Sequence, residues 1–499
     1  MANLFSTFGN KIGQAIGGWL SPFIGGTNNT YEMPKEDLAY RYSVLRNYYN
    51  GDHRPQLKNQ EGQNDNISEN WIGNIEDKAI SRMYRGGIQF NLPDVAKKQQ
   101  EYIDRLWDLN KKEIILYQYR LHGGVYGTSY FKICPDELTD PYTGDVYPRL
   151  VPLDPEIIRI HTSHDDMNEV RAYVISYSHG KKMSWEITYR SDMAYGFDNN
   201  NAVIIGEAYR DESDNETAEE NITWLVVEIE QEGGGPKVVK SETDWPYNFP
   251  PIIHQKNLPS LKSCYGDSDF DDVINVQDKS NFVVSNTSKI VKFFANPITF
   301  IFGISAKSMK ENKLDSPVGA LYAIPDNEAK AMNLEMSSDL SSSRNLSQDL
   351  KAAVYEISRE VSTDSIGDKL GQLTNFGLRV LYMDALDKTD TQRQLYGDAL
   401  KELNRRLLVL ANYTGVQSDP GKIAWGDALI TNVLEDMQAD QLALGMGIID
   451  KETIIARYQM RYGVDAETVM ANLANEAATA NAANANIGAT ILRNFNQGQ

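Results

Sequence analysis

The sequence predicts an α+β fold, and three observations carry that prediction. Apolar residues recur every three or four positions from residue 34 to residue 122. Short segments rich in β-branched and aromatic residues, separated by turn-formers, then run from Val125 to Lys256. Helical spacing returns at Gly266 and continues towards the C-terminus, interrupted by a small mixed segment at 296–337.

Residues 1–26 are weakly apolar and Gly-rich, without a basic n-region and a dense apolar core, so they are expected to form an arm and not a signal peptide. Too many glycines and polar residues interrupt them for a membrane span, and no other stretch is long and apolar enough. Leu38, Tyr42, Leu45 and Tyr49 share one face of a helix over 34–50 that stops at Gly51. Ile72, Ile75, Ala79, Ile80 and Met83 mark a second helix ending at Gly86-Gly87, and Tyr102, Ile103, Leu106 and Trp107 a third over 94–109. A fourth, over 111–122, is expected to stop at Gly123-Gly124. The segments SYFKI, RLVPL, IIRIHT, VRAYVISYS, SWEITYR, AVIIGEAYR, TWLVVEIE and PKVVKSE then read as strands.

Gly266 to Pro297 reads as one long helix spanning roughly 40 Å. Asp267, Asp269, Asp271 and Asp272 put negative charge in its first turn, Ser268 and Asp271 have capping-box spacing, and Lys289 and Lys292 put positive charge at its end. Phe270, Val273, Ile274, Gln277, Asn281, Val284, Ser288 and Val291 recur along one face. The middle of the helix is small and polar at Ser280, Asn281, Ser285, Asn286 and Ser288, as expected of a helix lying beside others with one side wet, for example around a water-filled passage. Strand-like segments at 298–304 and 319–324 follow, then a helix over 338–361, a Gly- and Ser-containing loop over 362–375, and a long helix over 376–413 striped by Leu395, Ala399, Leu403, Leu407 and Leu410. Shorter helices at 432–446 and 451–461, the latter N-capped by Asp450, lead into an Ala/Asn-rich tail.

The 49 basic and 69 acidic residues give a formal charge of −20. Tight binding to phosphates needs Lys and Arg, so the balance speaks against a protein that clamps nucleic acid, though not against one that lets it slide past. Cys134 and Cys264 are far apart and form no CxxC pair, which argues against a disulfide framework or a zinc site and fits a reducing compartment. No GxxxxGK(S/T), HExxH or GxSxG occurs, the six histidines form no ligand cluster, and no cofactor or metal is expected. The acids from Asp267 to Asp272 lack the Gly that an EF-hand turn requires, because Asp272 occupies that place.

The order of elements, with several local motifs, resembles the portal proteins of tailed bacteriophages. The motifs are Tyr48-Tyr49-Asn50-Gly51-Asp52, Gly124-Val125-Tyr126-Gly127-Thr128-Ser129-Tyr130, Val151-Pro152-Leu153-Asp154-Pro155, Asn257 through Gly266-Asp267-Ser268-Asp269 to Asn281, and Gly447-Ile448-Ile449-Asp450-Lys451-Glu452-Thr453. The chain departs from the usual pattern in having Asn375-Phe376-Gly377 ahead of the kinked helix.

That resemblance implies a portal fold with a wing at 27–265, a stem formed by 266–295 and 338–361, a clip at 296–337, a tunnel loop at 362–375, a kinked long helix at 376–413, and a crown and tail at 414–499. It implies no enzyme but a dodecameric ring at one capsid vertex of the virion, assembled in the host cytoplasm, through which double-stranded DNA is packaged and ejected. It further implies that Asp364, Ser365, Ile366, Gly367, Asp368, Lys369 and Leu370 project towards DNA, with Lys369 touching phosphate. The stem-face residues from Phe270 to Val291 would pack subunits together. Lys307, Lys310, Glu311, Lys313 and Asp315 of the clip would dock the terminase large subunit and head-completion (adaptor) proteins, and the wing would meet major capsid and scaffold proteins. Two other readings stand beside it: a monomeric capsid-associated binding protein, and a metal-dependent nuclease using the Asp267–Asp272 cluster.

Overall fold

A computed structural model of the chain describes residues 35–54, 66–93, 96–163, 165–198, 202–207, 223–261, 263–295, 298–302, 321–324, 330–334, 340–362, 375–429, 433–462, 468–469 and 471–472. The N-terminal arm, the tunnel-loop residues Asp364 to Leu370, the clip residues Lys307, Lys310, Glu311, Lys313 and Asp315, and the tail at 474–499 lie outside the described residues. The chain is α+β and clusters into two compact units. One holds Asp154–Ile252 and Pro259–Gly266; the other holds Arg41–Leu153, Ile253–Leu258 and the chain from Asp267 onward. Residues 27–265 are therefore divided between the two, and the helical region from Arg41 to Tyr126 clusters with the later helices.

The larger unit begins with α1 (Lys35–Tyr49), which lies in it from Arg41, then α2 (Trp71–Tyr84), β1 (Ile88–Asn91), α3 (Lys97–Leu109), α4 (Lys112–Tyr126), β2 (Thr128–Thr139) and β3 (Val146–Leu153). The smaller unit contributes β4 (Ile158–Thr162), β5 (Val170–His179), β6 (Lys182–Arg190), β7 (Met193–Phe197), β8 (Val203–Glu207), β9 (Trp224–Glu232) and β10 (Val238–Trp245). The chain returns with β11 (Ile252–Lys256), α5 (Ile274–Ala295), β12 (Ile298–Phe302), β13 (Leu321–Ile324), β14 (Lys330–Leu334), α6 (Ser341–Ile357), α7 (Asn375–Leu381), α8 (Met383–Leu410), β15 (Lys422–Trp425), α9 (Val433–Gly445) and α10 (Lys451–Tyr462).

In the smaller unit five strands form an antiparallel sheet in the order β10-β9-β6-β5-β4. Alternate residues of these strands, Val174, Trp185, Ile187, Val227 and Ile229 among them, bury one face against the β7–β8 hairpin. Trp185 meets Phe197 edge-on, with ring centroids 5.2 Å apart. The Ile160 N–H at the sheet edge donates to the Tyr265 hydroxyl at 3.2 Å.

In the larger unit the core gathers Ile103, Leu106, Trp107, Tyr119, Phe131, Tyr396, Leu403 and Leu407 from α3, α4, β2 and α8. Tyr119 stacks on Phe131 at 4.1 Å, and the Trp107 indole donates to Asn404 at 2.9 Å. A three-stranded sheet, β11-β2-β3, lies in this unit. Sequence periodicity did not show the antiparallel pair β1–β15, whose four-residue strands lie hundreds of residues apart in the chain. Close approach makes that pair possible: a Cβ on Gly426 would fall 2.3 Å from the Gly86 carbonyl carbon.

α5 and α6 pack together and bracket a three-stranded sheet, β13-β12-β14, in which β12 runs parallel to β13 and antiparallel to β14. The long helix over 376–413 is two helices, α7 and α8, interrupted at Tyr382. Asp450 caps α10 by accepting the Thr453 N–H at 2.8 Å, as its spacing predicts. Among the described residues, no helix is long and apolar enough to cross a membrane.

Candidate functional site

Among the described residues of the larger unit lies a buried ionic junction where α2, α4, α8, the approach to α5 and the end of α6 meet. Arg120 of α4 is completely buried. Its guanidinium donates to Glu76 at 3.0 Å, to Asp269 at 2.6 Å and to the Gln392 amide oxygen at 3.1 Å. Asp269 also accepts from Gln392 at 2.9 Å and Asn257 at 3.0 Å, and the Lys388 ammonium lies 3.3 Å away. Lys388 reaches onward to the Ser358 carbonyl at 3.3 Å, beyond the C-terminus of α6. Two residues later Glu360 pairs with both terminal nitrogens of Arg82, while Arg82 Nε donates to Thr389 at 2.8 Å. The α8 residues Lys388, Thr389, Gln392 and Tyr396 supply one face of this junction, and Tyr396 donates to Asn257 at 3.0 Å.

Burial decides the electrostatics. It pushes the Glu76 carboxyl well above the usual range, aided by Asp269 beside it and opposed by Arg120. Burial pushes Asp269 the same way, but Lys388 and Arg120 together outweigh it and hold that carboxyl far below its ordinary value. Removing one partner of such a buried pair typically costs about 3–5 kcal/mol, because the other is left charged and dry.

Gly123 and Gly124 make this packing possible. They do not end α4, as their identity predicts; the helix runs on to Tyr126 and is closed by Gly127, whose φ of 83° is left-handed. A Cβ on Gly123 would lie 1.7 Å from the Tyr396 hydroxyl, and one on Gly124 1.7 Å from Glu76 Oε1 and 2.4 Å from Arg120 Nη1.

The acids ahead of α5 are likewise not a helix cap. α5 starts at Ile274 after a short 3-10 turn at Asp271–Val273. Ser268 donates to the Gly124 carbonyl at 2.8 Å, Asp269 sits in the junction, and Asp271 pairs with Arg41 of α1 at 2.6 Å. Further along, Asp278 accepts the Tyr48 hydroxyl at 2.5 Å. Chain neighbours thus engage Asp269, Asp271 and Asp278, and among the described residues no group of three or more His, Cys, Asp or Glu is arranged to hold a metal.

The polar middle of α5 differs from expectation as well. Ser280, Asn281 and Ser285 are buried against the chain's own residues, while Asn286 is exposed and Ser288 half-buried. Gln277 donates to the Glu69 carbonyl at 2.7 Å, Asn281 accepts the Glu69 N–H at 3.1 Å, and Ser285 accepts the Ile67 N–H at 2.8 Å. The Asn281 amide donates to His53 Nδ1 at 2.7 Å, and His53 Nε2 lies 3.1 Å from the Tyr48 carbonyl, which fixes the ring as the Nε2–H tautomer. Side chains on three successive turns therefore satisfy an irregular backbone segment. Of the residues expected to pack subunits together, Phe270, Val273, Gln277 and Asn281 are buried within the chain. Ile274, Val284 and Ser288 are half-buried, and Val291 is exposed.

These elements occur in the order that the sequence motifs suggested: two packed helices around a small sheet, then a long broken helix anchored to them. The family described as phage portal protein, SPP1 Gp6-like, matches residues 34–483. No curated protein gives a significant match. The family match spans nearly all of the 499 residues, and the chain belongs to the SPP1 Gp6-like family of phage portal proteins.

Proposed function

We propose that this chain is the repeating subunit of a dodecameric ring at one vertex of the phage head, through which double-stranded DNA enters and leaves. In this reading α5 and α6 are the stem, the β12–β14 module is the clip, residues 362–375 are the tunnel loop, and 376–413 form the kinked long helix. The clip docks the terminase and later the head-completion proteins, and capsid and scaffold proteins surround the ring. Its role is structural, without catalysis.

One observation carries the reading. The junction ties both helices of the α5–α6 pair to α8, through Asp269 ahead of α5 and Ser358 after α6, which both meet Lys388, and through Glu360 by way of Arg82 of α2, which donates to Thr389. Glu360 lies two residues ahead of the loop at 362–375, and α7 begins at the loop's last residue, Asn375. A loop held from both sides by anchored helices suits contact with a moving polymer better than a hinge between free domains would. An acidic surface favours passage over adhesion. A nuclease at Asp267–Asp272 is disfavoured by the engagement of Asp269 with Arg120 and Lys388 and of Asp271 with Arg41.

The test is packaging by heads carrying Lys369→Ala or a deletion of Ser365–Leu370. Lower packaging rate or poorer DNA retention is expected from both. Unchanged packaging and retention in both would remove the loop from the mechanism.

A further inference from the structure

We propose that an apolar face built from α7, the start of α8, and α9 is a contact between neighbouring copies of this chain. The inference rests on the ring reading above and adds the surface by which copies join. α9 is inside out. Its buried residue is Asp440, which accepts from Arg457 of α10 at 2.5 Å, while Leu434, Met437 and Leu442 are 64%, 48% and 64% exposed. Such a helix gains nothing from its apolar residues until something covers them.

α7 shows the same pattern, with Phe376 77% and Val380 54% exposed, followed by Met383 at 55% in the first turn of α8. Hydrogen bonds join these two surfaces. The Asn375 N–H donates to Glu435 and its side-chain amide to Asp436, each at 3.1 Å, so the N-termini of α7 and α9 are held together. Met446 and Ile448, both 71% exposed, extend the face beyond α9.

At on the order of 100 Å² for each of these eight side chains, the face presents roughly 800 Å² of apolar surface. Covered together by a neighbouring copy, these side chains would supply about one partner's share of a standard interface, roughly 800 Å². Chains at −20 each repel one another at a distance, so their association must draw on apolar burial. In a closed ring the contact is head-to-tail, and this face meets a different surface of the next copy.

The experiment is native mass spectrometry and sedimentation of the full chain across a concentration series. The variants are Leu434→Asp with Met437→Asp, Phe376→Asp alone, and Leu261→Asp as a control at a 94% exposed site in the other unit. Thermal unfolding of each variant is recorded in parallel. Expected is a wild-type ring, a concentration for half-assembly raised about tenfold or more by both face variants, and a control that assembles like wild type. Face variants that assemble normally from a wild-type ring would overturn the inference while leaving the ring intact. Face variants that unfold earlier yet assemble normally would show that the chain itself covers this face, which also overturns it. A wild-type chain that stays monomeric throughout would overturn the ring reading and this inference with it.

Discussion

Gly124→Ala is the sharpest perturbation of the junction. The added methyl would sit 1.7 Å from Glu76 Oε1 and 2.4 Å from Arg120 Nη1, and both side chains are completely buried. Alanine in a helix interior is favoured over glycine by about 1 kcal/mol. Against that gain, the methyl drives Glu76 from its 3.0 Å contact with Arg120, and breaking a buried pair costs about 3–5 kcal/mol. The net expectation is a loss of about 2–4 kcal/mol. Urea unfolding followed by circular dichroism reads it, with Gly445→Ala as the control. A methyl at Gly445 meets nothing within 4 Å, so that variant should hold or gain stability. A second comparison isolates the cause. A Glu76→Ala background removes the 1.7 Å clash and leaves only the one with Arg120 Nη1, so Gly124→Ala should then cost less than in the wild type. Equal losses in the two backgrounds, or a stabilised Gly124→Ala single variant, would refute the reasoning.

Three further outcomes are expected. Asn281→Leu strips partners from the Glu69 N–H, Gln277 and His53 together and should destabilise by on the order of 3 kcal/mol, whereas Asn286→Leu on the exposed side should be nearly neutral; urea midpoints separate them. Gly426→Ala places a methyl against the Gly86 backbone and should disrupt the β1–β15 pair at a cost of about 2 kcal/mol or more, read as faster hydrogen exchange at Ile88–Asn91. Burial lowers the His53 pKa, so below about pH 6.5 the unfolded chain takes up a proton that the native ring resists. Stability is therefore full above that pH and declines as pH falls, and His53→Gln should show a shallower loss of melting temperature between pH 7 and pH 5.

Much of the helical layout was legible because α1, α2, α3 and α8 each bury a stripe at helical spacing, and an apolar stripe is a local property of sequence. The errors came from residues whose partners are distant in sequence. Gly123-Gly124 has the composition of a helix stop, yet it admits Glu76 and Tyr396 side chains that no local pattern reveals. Asp269 sits where a helix-capping acid would, but Arg120, 149 residues earlier, claims it. The small polar residues of α5 suggested a wet surface because their partners, Ile67 and Glu69, contribute backbone groups, and backbone groups leave no mark on composition. β1 and β15 are too short for alternation to be visible in either. The junction was read piecemeal for the same reason: its residues come from five separate stretches, and ordinary roles could be assigned to each alone.

The measurement that bears most directly on the central claim is the mass and symmetry of the purified full-length protein, by light scattering and electron-microscope class averages. The account expects a ring of about a dozen copies around a central hole. A chain that remains monomeric at high concentration would contradict it.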